Sequence, residues 1–470
     1  MQFKAFFTLE NTILAIILVS TAAKFALIPM NQGMWWDEAV YLGLGRGVMG
    51  GHYSMWPGTT IESFRPPLFP LLISPVHFSP LLARLMVASM SMLSVILIYM
   101  LSRSVFGRQA ALWAALMASV NYYFVFFSTK VLTEPLVIAM ISLSLLSFVK
   151  WKRGRKPVHI FLSGLFIGLS FSVRYLTAMV IISFMLFFAY HAIKERKLSA
   201  VWPFFVFTAG CVAGTLPWLI LNTANYGSPL QGLFVNFGVY AGSGPSGIPI
   251  IGGFLLFFGA MGLAMIPGIC SSWDTKSRSM AVLMLLTVMV SLVFYFAFPR
   301  QEPRYLLTYL PVFSAFGGLG VHSLVRRLPK GAGETIAVLV IVVSALSAAS
   351  GLMSVSADTV SASALVSACY EIRNLTAPGD VVVSDSYPYI YYISERKPLQ
   401  LYGNDREGLL SSMQENGARY VLFYVFENPE PELYREMLGG PDFRKISSYS
   451  QWGDPEAAVI YEHVTQRTSL

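Results

Sequence analysis

Apolar residues form a series of long runs over the first three quarters of the chain, and short polar stretches separate them. A run of about twenty apolar residues is long enough to cross the hydrocarbon core of a bilayer as one helix. The pattern therefore predicts a polytopic α-helical membrane protein with about eleven transmembrane helices. These lie near residues 10–30, 81–101, 109–128, 131–149, 158–173, 175–191, 201–221, 251–270, 280–298, 305–324 and 334–353.

The pattern changes after about residue 357, where short β-branched and aromatic runs replace the long apolar ones. Residues 405–417 have helical spacing and end at a glycine. Alternation of strand and helix predicts a small α/β domain at residues 358–470, after a membrane domain at residues 1–355. The predicted strands are 379–386, 418–426 and 457–464.

Composition supports the membrane assignment. The chain of 470 residues is 55% hydrophobic and 12% charged, and its mean hydropathy is +0.59, which excludes an ordinary water-soluble globular protein. Its three cysteines, Cys211, Cys270 and Cys369, are scattered and predict neither a disulfide framework nor a zinc site. No small-residue cleavage site follows the first apolar run, which we interpret as a retained helix.

The basic residues indicate the orientation, because cytoplasmic loops carry an excess of Lys and Arg. One set of loops carries fifteen basic residues and the opposite set six. This places the 31–80 loop and the residues after about 354 outside the cytoplasm. Residues 1–357 hold 24 basic and 9 acidic side chains, and residues 358–470 hold 9 and 16. The basic pI thus reflects membrane orientation, and no nucleic-acid partner is predicted.

Ionisable side chains at the outer rim of a membrane bundle are costly and often functional. They come from separate loops that the predicted topology brings to one face, as in a site assembled at the mouth of a bundle. These residues are Asp37, Glu38, His52, Glu62, Arg65, Lys130, Glu134, Arg174, Arg300, Glu302 and Arg304.

Asp37 and Glu38 follow two tryptophans in the stretch "WWDEAVY". One interpretation makes the tryptophans interfacial and the acids favourable charges in a first helical turn. The other makes one carboxylate a general base at the edge of a low-dielectric cavity. Adjacent residues of a helix point in different directions, so the two acids should have different roles.

The arginines also allow two interpretations. Arg65 precedes a double proline, and its guanidinium suits a phosphate, or it reaches the lipid headgroups. Arg300 and Arg304 bracket Glu302 and either clamp an anionic ligand or pair with the acid and lipid phosphates. Arg174 interrupts an apolar stretch and must face a cavity or a partner.

Glu134 precedes Pro135 at a predicted helix start, where it is either a capping acid or a site acid.

Six motifs, taken together and in order, resemble the membrane-embedded GT-C glycosyltransferases over residues 10–325. The similar branch includes the dolichyl-phosphate-mannose protein mannosyltransferases, the aminoarabinose transferases acting on lipid A, and prokaryotic mannosyltransferase-like proteins. The motifs are "WWDEAVY" (35–41), "FRPPLFP" (64–70), "LTEPL" (132–136), "SVRYLT" (172–177), "NYGSPL" (225–230) and "EPRYLLTYLP" (302–311).

The resemblance implies roles for the matching residues. Asp37 matches the essential acid of the first outer loop, with Glu38 as its companion, and Glu134 matches an acid of the second outer turn. Arg65 matches a residue that contacts the donor phosphate, and Arg304 a second basic position. Arg174 and Arg300 are further candidates for binding this phosphate. The fuller metal-ligand set of the aminoarabinose transferases does not map here, since His52 is the one plausible imidazole in the loop, and a divalent metal ion stays an open candidate cofactor.

The predicted function is transfer of a sugar from a dolichyl- or undecaprenyl-phosphate donor to an acceptor hydroxyl at the outer face, with inversion and with Asp37 as general base. The partners would be this lipid-linked sugar, membrane lipids and a protein, lipid or glycan acceptor. A transporter or lipid flippase is one alternative, although it predicts charges near span centres and inverted repeats. A non-catalytic binding subunit acting through the outer domain is the other.

Overall fold

The structure of the protein is a computed structural model that describes residues 9–31, 33–55, 62, 64–195, 201–242, 250–273, 278–297, 302–400, 405–428 and 430–464. Within these ranges the chain forms two compact units. The first comprises the described parts of 1–28, 63–69 and 81–356, and the second those of 29–62, 70–80 and 357–470. The sequence pattern gives no sign that two pieces of the 31–80 loop join the C-terminal residues.

The first unit is helical. Its helices are Leu9–Leu27, Pro80–Phe106, Arg108–Ser119, Tyr122–Phe127, Glu134–Gly154, Pro157–Phe171, Ala178–Glu195, Trp202–Tyr226, Gln231–Gly242, Ile250–Ser272, Arg278–Ala297, Leu310–Arg327 and Lys330–Ala357. The short helix Leu68–Ile73 has residues assigned to both units. The 3-10 helices Tyr175–Thr177, of three residues, and Pro303–Tyr309, of seven, precede two of the long helices.

In the described part of the chain, eight helical segments are long and apolar enough to cross a membrane. The predicted spans at 158–173 and 251–270 are a helix of 15 residues and a helix kinked at Gly259. The predicted number of eleven therefore stays a prediction. The eight are Leu9–Met30, Pro80–Phe106, Glu134–Gly154, Tyr175–Lys194, Trp202–Tyr226, Arg278–Ala297, Pro303–Arg327 and Gly331–Leu375.

The prediction of one helix over 109–128 is wrong, because the run is divided into Arg108–Ser119 and Tyr122–Phe127. The Asn121 side chain accepts a hydrogen bond of 3.0 Å from the backbone N–H of Phe124 and thereby caps the second helix. An asparagine that bonds the backbone locally competes with continuation of the preceding helix.

Two helices of the first unit approach closely through small residues. Gly164 lies on helix Pro157–Phe171, and Gly210 lies on helix Trp202–Tyr226. A Cβ atom at Gly164 would lie 2.0 Å from the carbonyl oxygen of Phe207, and one at Gly210 would lie 2.2 Å from that of Phe161. Glycines on both helices therefore allow backbone contact, as small-xxx-small patterns do in membranes.

We expect Gly164→Ala to lower the free energy of unfolding by about 1–3 kcal/mol, because the added methyl overlaps a backbone atom that cannot move freely. Gly154→Ala is the matched control, since a Cβ atom there meets nothing within 4 Å. Thermal unfolding of both variants in one detergent measures the difference. Equal behaviour of the two variants would contradict the close packing.

The second unit contains a five-stranded sheet. Its strands are β1 (Val381–Val383), β2 (Lys397–Leu399), β3 (Tyr420–Tyr424), β4 (Phe443–Gln451) and β5 (Asp454–His463). The strand order is β2-β1-β3-β5-β4, in which β1 is parallel to β2 and β3, and β5 is antiparallel to β3 and β4. The predicted α/β domain is confirmed, with β1, β3 and β5 at the three predicted strands.

Helices cover both faces of this sheet. Arg406–Asn416, predicted from its spacing, and Pro431–Leu438 pack on a core that includes Val421 and Val459. Helix Ser363–Leu375 lies against β4 and β5 on the other face, where its Glu371 accepts hydrogen bonds of 2.5 Å from the hydroxyls of Ser447 and Tyr449. The remaining helical segments of the unit are Ile28–Met30, Trp36–Met49, Ser74–Val76, Asp358–Val360, Tyr387–Tyr389 and the π-helical turn Ile390–Ser394.

Candidate functional site

The predicted acids Asp37 and Glu38 lie in the first turn of helix Trp36–Met49, in the second unit. Glu38 is fully buried, and its Oε2 accepts a hydrogen bond of 3.0 Å from the backbone N–H of Trp35. This contact satisfies a donor at the helix start, as in a capping box. Asp37 is half-buried in the same turn. The two neighbouring acids thus have different surroundings, and Glu38 is the one that caps the helix.

Glu134 and Arg174 form a buried ion pair in the first unit. Glu134 begins helix Glu134–Gly154, and Arg174 lies in extended conformation between helix Pro157–Phe171 and the next helical turn. Arg174 Nη1 lies 2.5 Å from Glu134 Oε1 and donates a second bond of 3.3 Å to the Thr133 hydroxyl. Arg174 was predicted to face a cavity or a partner, and it has a partner in Glu134.

Two further charges join this pair around one aromatic ring. Arg304 pairs with Glu302 at the start of the turn Pro303–Tyr309. The guanidinium carbons of Arg174 and Arg304 lie 5.3 Å and 5.8 Å from the centre of the Tyr305 ring, within the range of cation–π attraction. We call Glu134, Arg174, Glu302, Arg304 and Tyr305 the Tyr305 cluster. It joins three of the predicted site residues of the first unit.

A narrow crevice lies beside the Tyr305 ring, also within the first unit. The hydroxyl of Tyr309 donates a hydrogen bond of 3.3 Å to the carbonyl of Leu176 in its wall. In the part of the chain that the structure describes, the buried hydroxyl of Tyr295 has no hydrogen-bond partner. Sequence reasoning missed these tyrosines, although Tyr305 and Tyr309 stand beside Arg304 in "PRYLLTY". The lining residues are Leu176, Ser291, Phe294, Tyr295, Tyr305, Leu306 and Tyr309.

The other two predicted arginines are placed differently. Arg65 is half-buried, with its guanidinium carbon 5.2 Å from the centre of the Phe64 ring. Just after the double proline, the backbone N–H of Leu68 donates a hydrogen bond of 3.0 Å to the carbonyl of Ser172, two residues before Arg174. Arg300 lies outside the described residues.

His52, the candidate metal ligand, has its Nδ1 3.0 Å from the Ser54 hydroxyl. Among the residues with described positions, no group of three or more His, Cys, Asp or Glu side chains is arranged to hold a metal ion. The divalent metal ion stays an open candidate cofactor.

Two acids that sequence reasoning missed lie at the carboxyl ends of the parallel strands β1 and β3. The Glu427 carboxylate accepts a hydrogen bond of 2.5 Å from the Ser386 hydroxyl, and Asp385 accepts one of 2.5 Å from the Asn428 amide. Burial raises the pKa of Glu427 to about 7. The hydrogen bond from Ser386 acts in the opposite direction, and the nearby negative charge of Asp385 adds to the increase. Burial also raises the pKa of Asp385, against the Asn428 bond.

The raised pKa of Glu427 predicts that the stability of the fold depends on pH. Because its ordinary pKa is 4.5 and the folded value about 7, the folded state favours the neutral carboxyl. This contribution is complete below pH 4.5 and is lost as pH rises to about 7. Glu427→Gln cannot ionise, so its unfolding free energy relative to wild type should rise across this window by at most about 3 kcal/mol. Thermal unfolding of both proteins at a series of pH values measures the difference in their unfolding free energies. A difference that stays constant with pH would contradict the prediction.

Comparison with known proteins places the fold in a class. Residues 65–221 match the model of the dolichyl-phosphate-mannose-protein mannosyltransferase family. The chain superposes on the structure of ArnT from Cupriavidus metallidurans bound to undecaprenyl phosphate with a TM-score of 0.69 and 12% identity, covering 96% of this chain and 98% of ArnT. No curated protein sequence matches the chain.

Two other solved structures are similar. The archaeal oligosaccharyltransferase AglB from Archaeoglobus fulgidus, in complex with an inhibitory peptide and a dolichol-phosphate, gives a TM-score of 0.62 at 13% identity, over 91% of this chain and 70% of AglB. The arabinofuranosyltransferase AftD from Mycobacteria gives 0.58 at 13% identity, over 96% of this chain and 40% of AftD.

The chain is a multi-pass membrane protein with the GT-C fold, as its motifs predicted. The matched family model and the GT-C neighbours together indicate a glycosyltransferase.

Proposed function

We propose that the protein transfers a sugar from a polyprenyl-phosphate donor to an acceptor hydroxyl on the extracytoplasmic side of the membrane, with inversion at the anomeric carbon. The observation that carries this proposal is the likeness, over nearly the whole length of both chains, to an ArnT structure holding undecaprenyl phosphate. The AglB structure, which holds a dolichol-phosphate and a peptide, supports a lipid-phosphate donor used with a separate acceptor.

On the donor side, Arg65, Arg174, Arg300 and Arg304 bind the phosphate. As the bond between the anomeric carbon and the phosphate oxygen breaks, negative charge grows on the phosphate, and guanidinium groups held nearby stabilise it. Phosphate is a good leaving group, so this step needs no proton donor. Glu134 acts through Arg174, because its buried carboxylate fixes the guanidinium by the 2.5 Å contact.

On the acceptor side, Asp37 is the general base. The acceptor hydroxyl is a weak nucleophile, and a carboxylate within hydrogen-bond reach accepts its proton as the oxygen bonds to the anomeric carbon. Glu38 is engaged with the Trp35 backbone at the helix start, so its neighbour Asp37 is the better candidate for this work. In-line attack opposite the leaving phosphate inverts the anomeric centre.

The test is sugar transfer by the purified protein with a panel of polyprenyl-phosphate sugars and with peptide, lipid and glycan acceptors. We expect free polyprenyl phosphate to form only when donor and acceptor are both present. Repetition in a chelator decides whether a divalent metal ion is needed. Translocation of the donor across proteoliposomes without release of polyprenyl phosphate would replace the proposal with the transporter alternative.

A further inference from the structure

The segment that leads into the Asp37 helix is held by backbone hydrogen bonds to the residues that begin the C-terminal part of the second unit. The N–H of Gly33 donates a bond of 2.7 Å to the carbonyl of Thr359, and that of Met34 donates one of 3.2 Å to the carbonyl of Ser361. The approach is so close that a Cβ atom at Gly33 would lie 2.3 Å from the Ser361 oxygen. Only glycine fits at this point.

Side chains strengthen the attachment one residue further on. The indole Nε1 of Trp35 donates to the carboxylate of Asp358, 2.9 Å from one oxygen and 3.1 Å from the other. A hydrogen bond to an ionised acceptor is stronger than one between neutral groups. Asp358 thus fixes the residue that precedes the helix and whose backbone N–H is bonded by Glu38.

Tyr389 makes a second attachment from a different segment of the same unit. Its side chain is 1% exposed, and its hydroxyl donates a hydrogen bond of 2.9 Å to the carbonyl of Met34. The Trp36 ring packs edge-on against Tyr387, with ring centres 5.1 Å apart, and against Tyr389 at 6.3 Å. All three residues immediately before Asp37 therefore contact the C-terminal residues.

The far end of the same helix is held as well. Arg46 Nη1 donates a hydrogen bond of 3.0 Å to the carbonyl of Tyr391, and Arg46 Nη2 lies 3.3 Å from a Glu395 oxygen. The helix is thus fixed to C-terminal residues at both ends, and rotation about its axis or a shift along it would break contacts at each. The direction of the Asp37 carboxylate follows from the direction of this helix.

We infer that Asp358 and Tyr389 are positioning residues for Asp37, so that the C-terminal α/β part of the chain contributes to catalysis by orienting the general base. The inference rests on the proposed function, in which Asp37 accepts the proton of the acceptor hydroxyl. A displacement of about 1 Å of a reacting group can lower a rate by about 100-fold. Loss of either attachment should therefore act on the rate of the chemical step.

The experiment uses the full chain with Asp358→Ala, Asp358→Asn and Tyr389→Phe. We expect Asp358→Ala to lower kcat by about 10- to 100-fold with little change in KM for the donor. Asp358→Asn keeps an oxygen that accepts from the Trp35 indole and should restore much of the rate. Tyr389→Phe removes one hydroxyl and should lower kcat by about 10-fold, while retaining the ring.

Matched controls come from the same unit. Tyr461→Phe alters a buried tyrosine of the sheet core, and Asp442→Ala removes an acid that pairs with Arg406. Both should leave kcat within about twofold of wild type, because the described contacts of these two residues lie within the sheet and the helices that cover it. Thermal unfolding confirms that each variant is folded before its rate is compared.

The decisive readout is the combination of Asp358→Ala with Asp37→Asn. If Asp358 acts through Asp37, its substitution should have no further effect on the residual rate of Asp37→Asn, whereas independent effects would multiply. This inference alone would be overturned if the effects of Asp358→Ala and Asp37→Asn on the rate multiplied. It would also be overturned if Asp358→Ala and Tyr389→Phe kept the wild-type rate while Asp37→Asn was inactive. A wild-type rate in Asp37→Asn itself would instead overturn the proposed catalytic assignment.

Discussion

Asp37→Asn is expected to lower the rate of sugar transfer by about 100- to 10,000-fold, the usual contribution of a positioned general base. The amide has nearly the shape of the carboxylate but cannot accept a proton from the acceptor hydroxyl. Because the base acts in the chemical step, the loss should fall on kcat, with KM for the donor almost unchanged. Initial rates of polyprenyl phosphate release, at equal amounts of folded protein, measure the effect.

The neighbouring acid gives a sharp control. Glu38→Gln retains an oxygen that can accept the hydrogen bond from the Trp35 N–H, so the helix start should be preserved and the rate should stay within about tenfold of wild type. If Glu38→Gln were as inactive as Asp37→Asn, the two acids would share the proton chemistry, and the assignment of Asp37 alone would be wrong. Full activity of Asp37→Asn would remove the general base from the mechanism.

The helical part of the fold was predictable because the bilayer constrains the sequence so strongly. A spanning segment must satisfy its backbone internally and present apolar side chains over its length, so runs such as 81–101 identify helices directly. The same physics predicted that Arg174 must face a cavity or a partner. The helix break at Asn121 was not predicted, because it depends on one side-chain hydrogen bond, worth about 1 kcal/mol, that leaves the pattern of apolar residues unchanged.

Contacts between distant segments could not be predicted from the sequence. Trp35 and Asp358 are 323 residues apart, and Tyr389 and Met34 are 355 residues apart, and neither pair carries a spacing that identifies it. Strand β2 has three residues, one of them proline, and so lacks the pattern of a strand. Glu134 was recognised as a capping or site acid, but its pairing with Arg174 depends on packing between helices, for which a single sequence has no signal.

The second large effect concerns the ion pair between Glu134 and Arg174. Arg174→Met should lower the free energy of unfolding by about 3–5 kcal/mol, because it leaves the Glu134 carboxylate buried without a compensating charge. The exposed fractions of the two side chains, 2% for Glu134 and 15% for Arg174, show that the acid is the more deeply buried partner. Glu134→Gln should therefore cost less, since its amide oxygen can still accept from a guanidinium that retains some contact with water. Unfolding in mixed detergent micelles, followed by circular dichroism, measures both.

The double variant Glu134→Gln/Arg174→Met separates loss of the pair from exposure of an uncompensated charge. It removes the buried carboxylate charge together with its partner, so it should be more stable than Arg174→Met alone by about 1–3 kcal/mol. Both variants lack a guanidinium proposed to bind the donor phosphate, so recovery of stability should not restore sugar transfer. A double variant no more stable than Arg174→Met would mean that Arg174 stabilises the fold through its contacts with Thr133 and the Tyr305 ring rather than by neutralising Glu134.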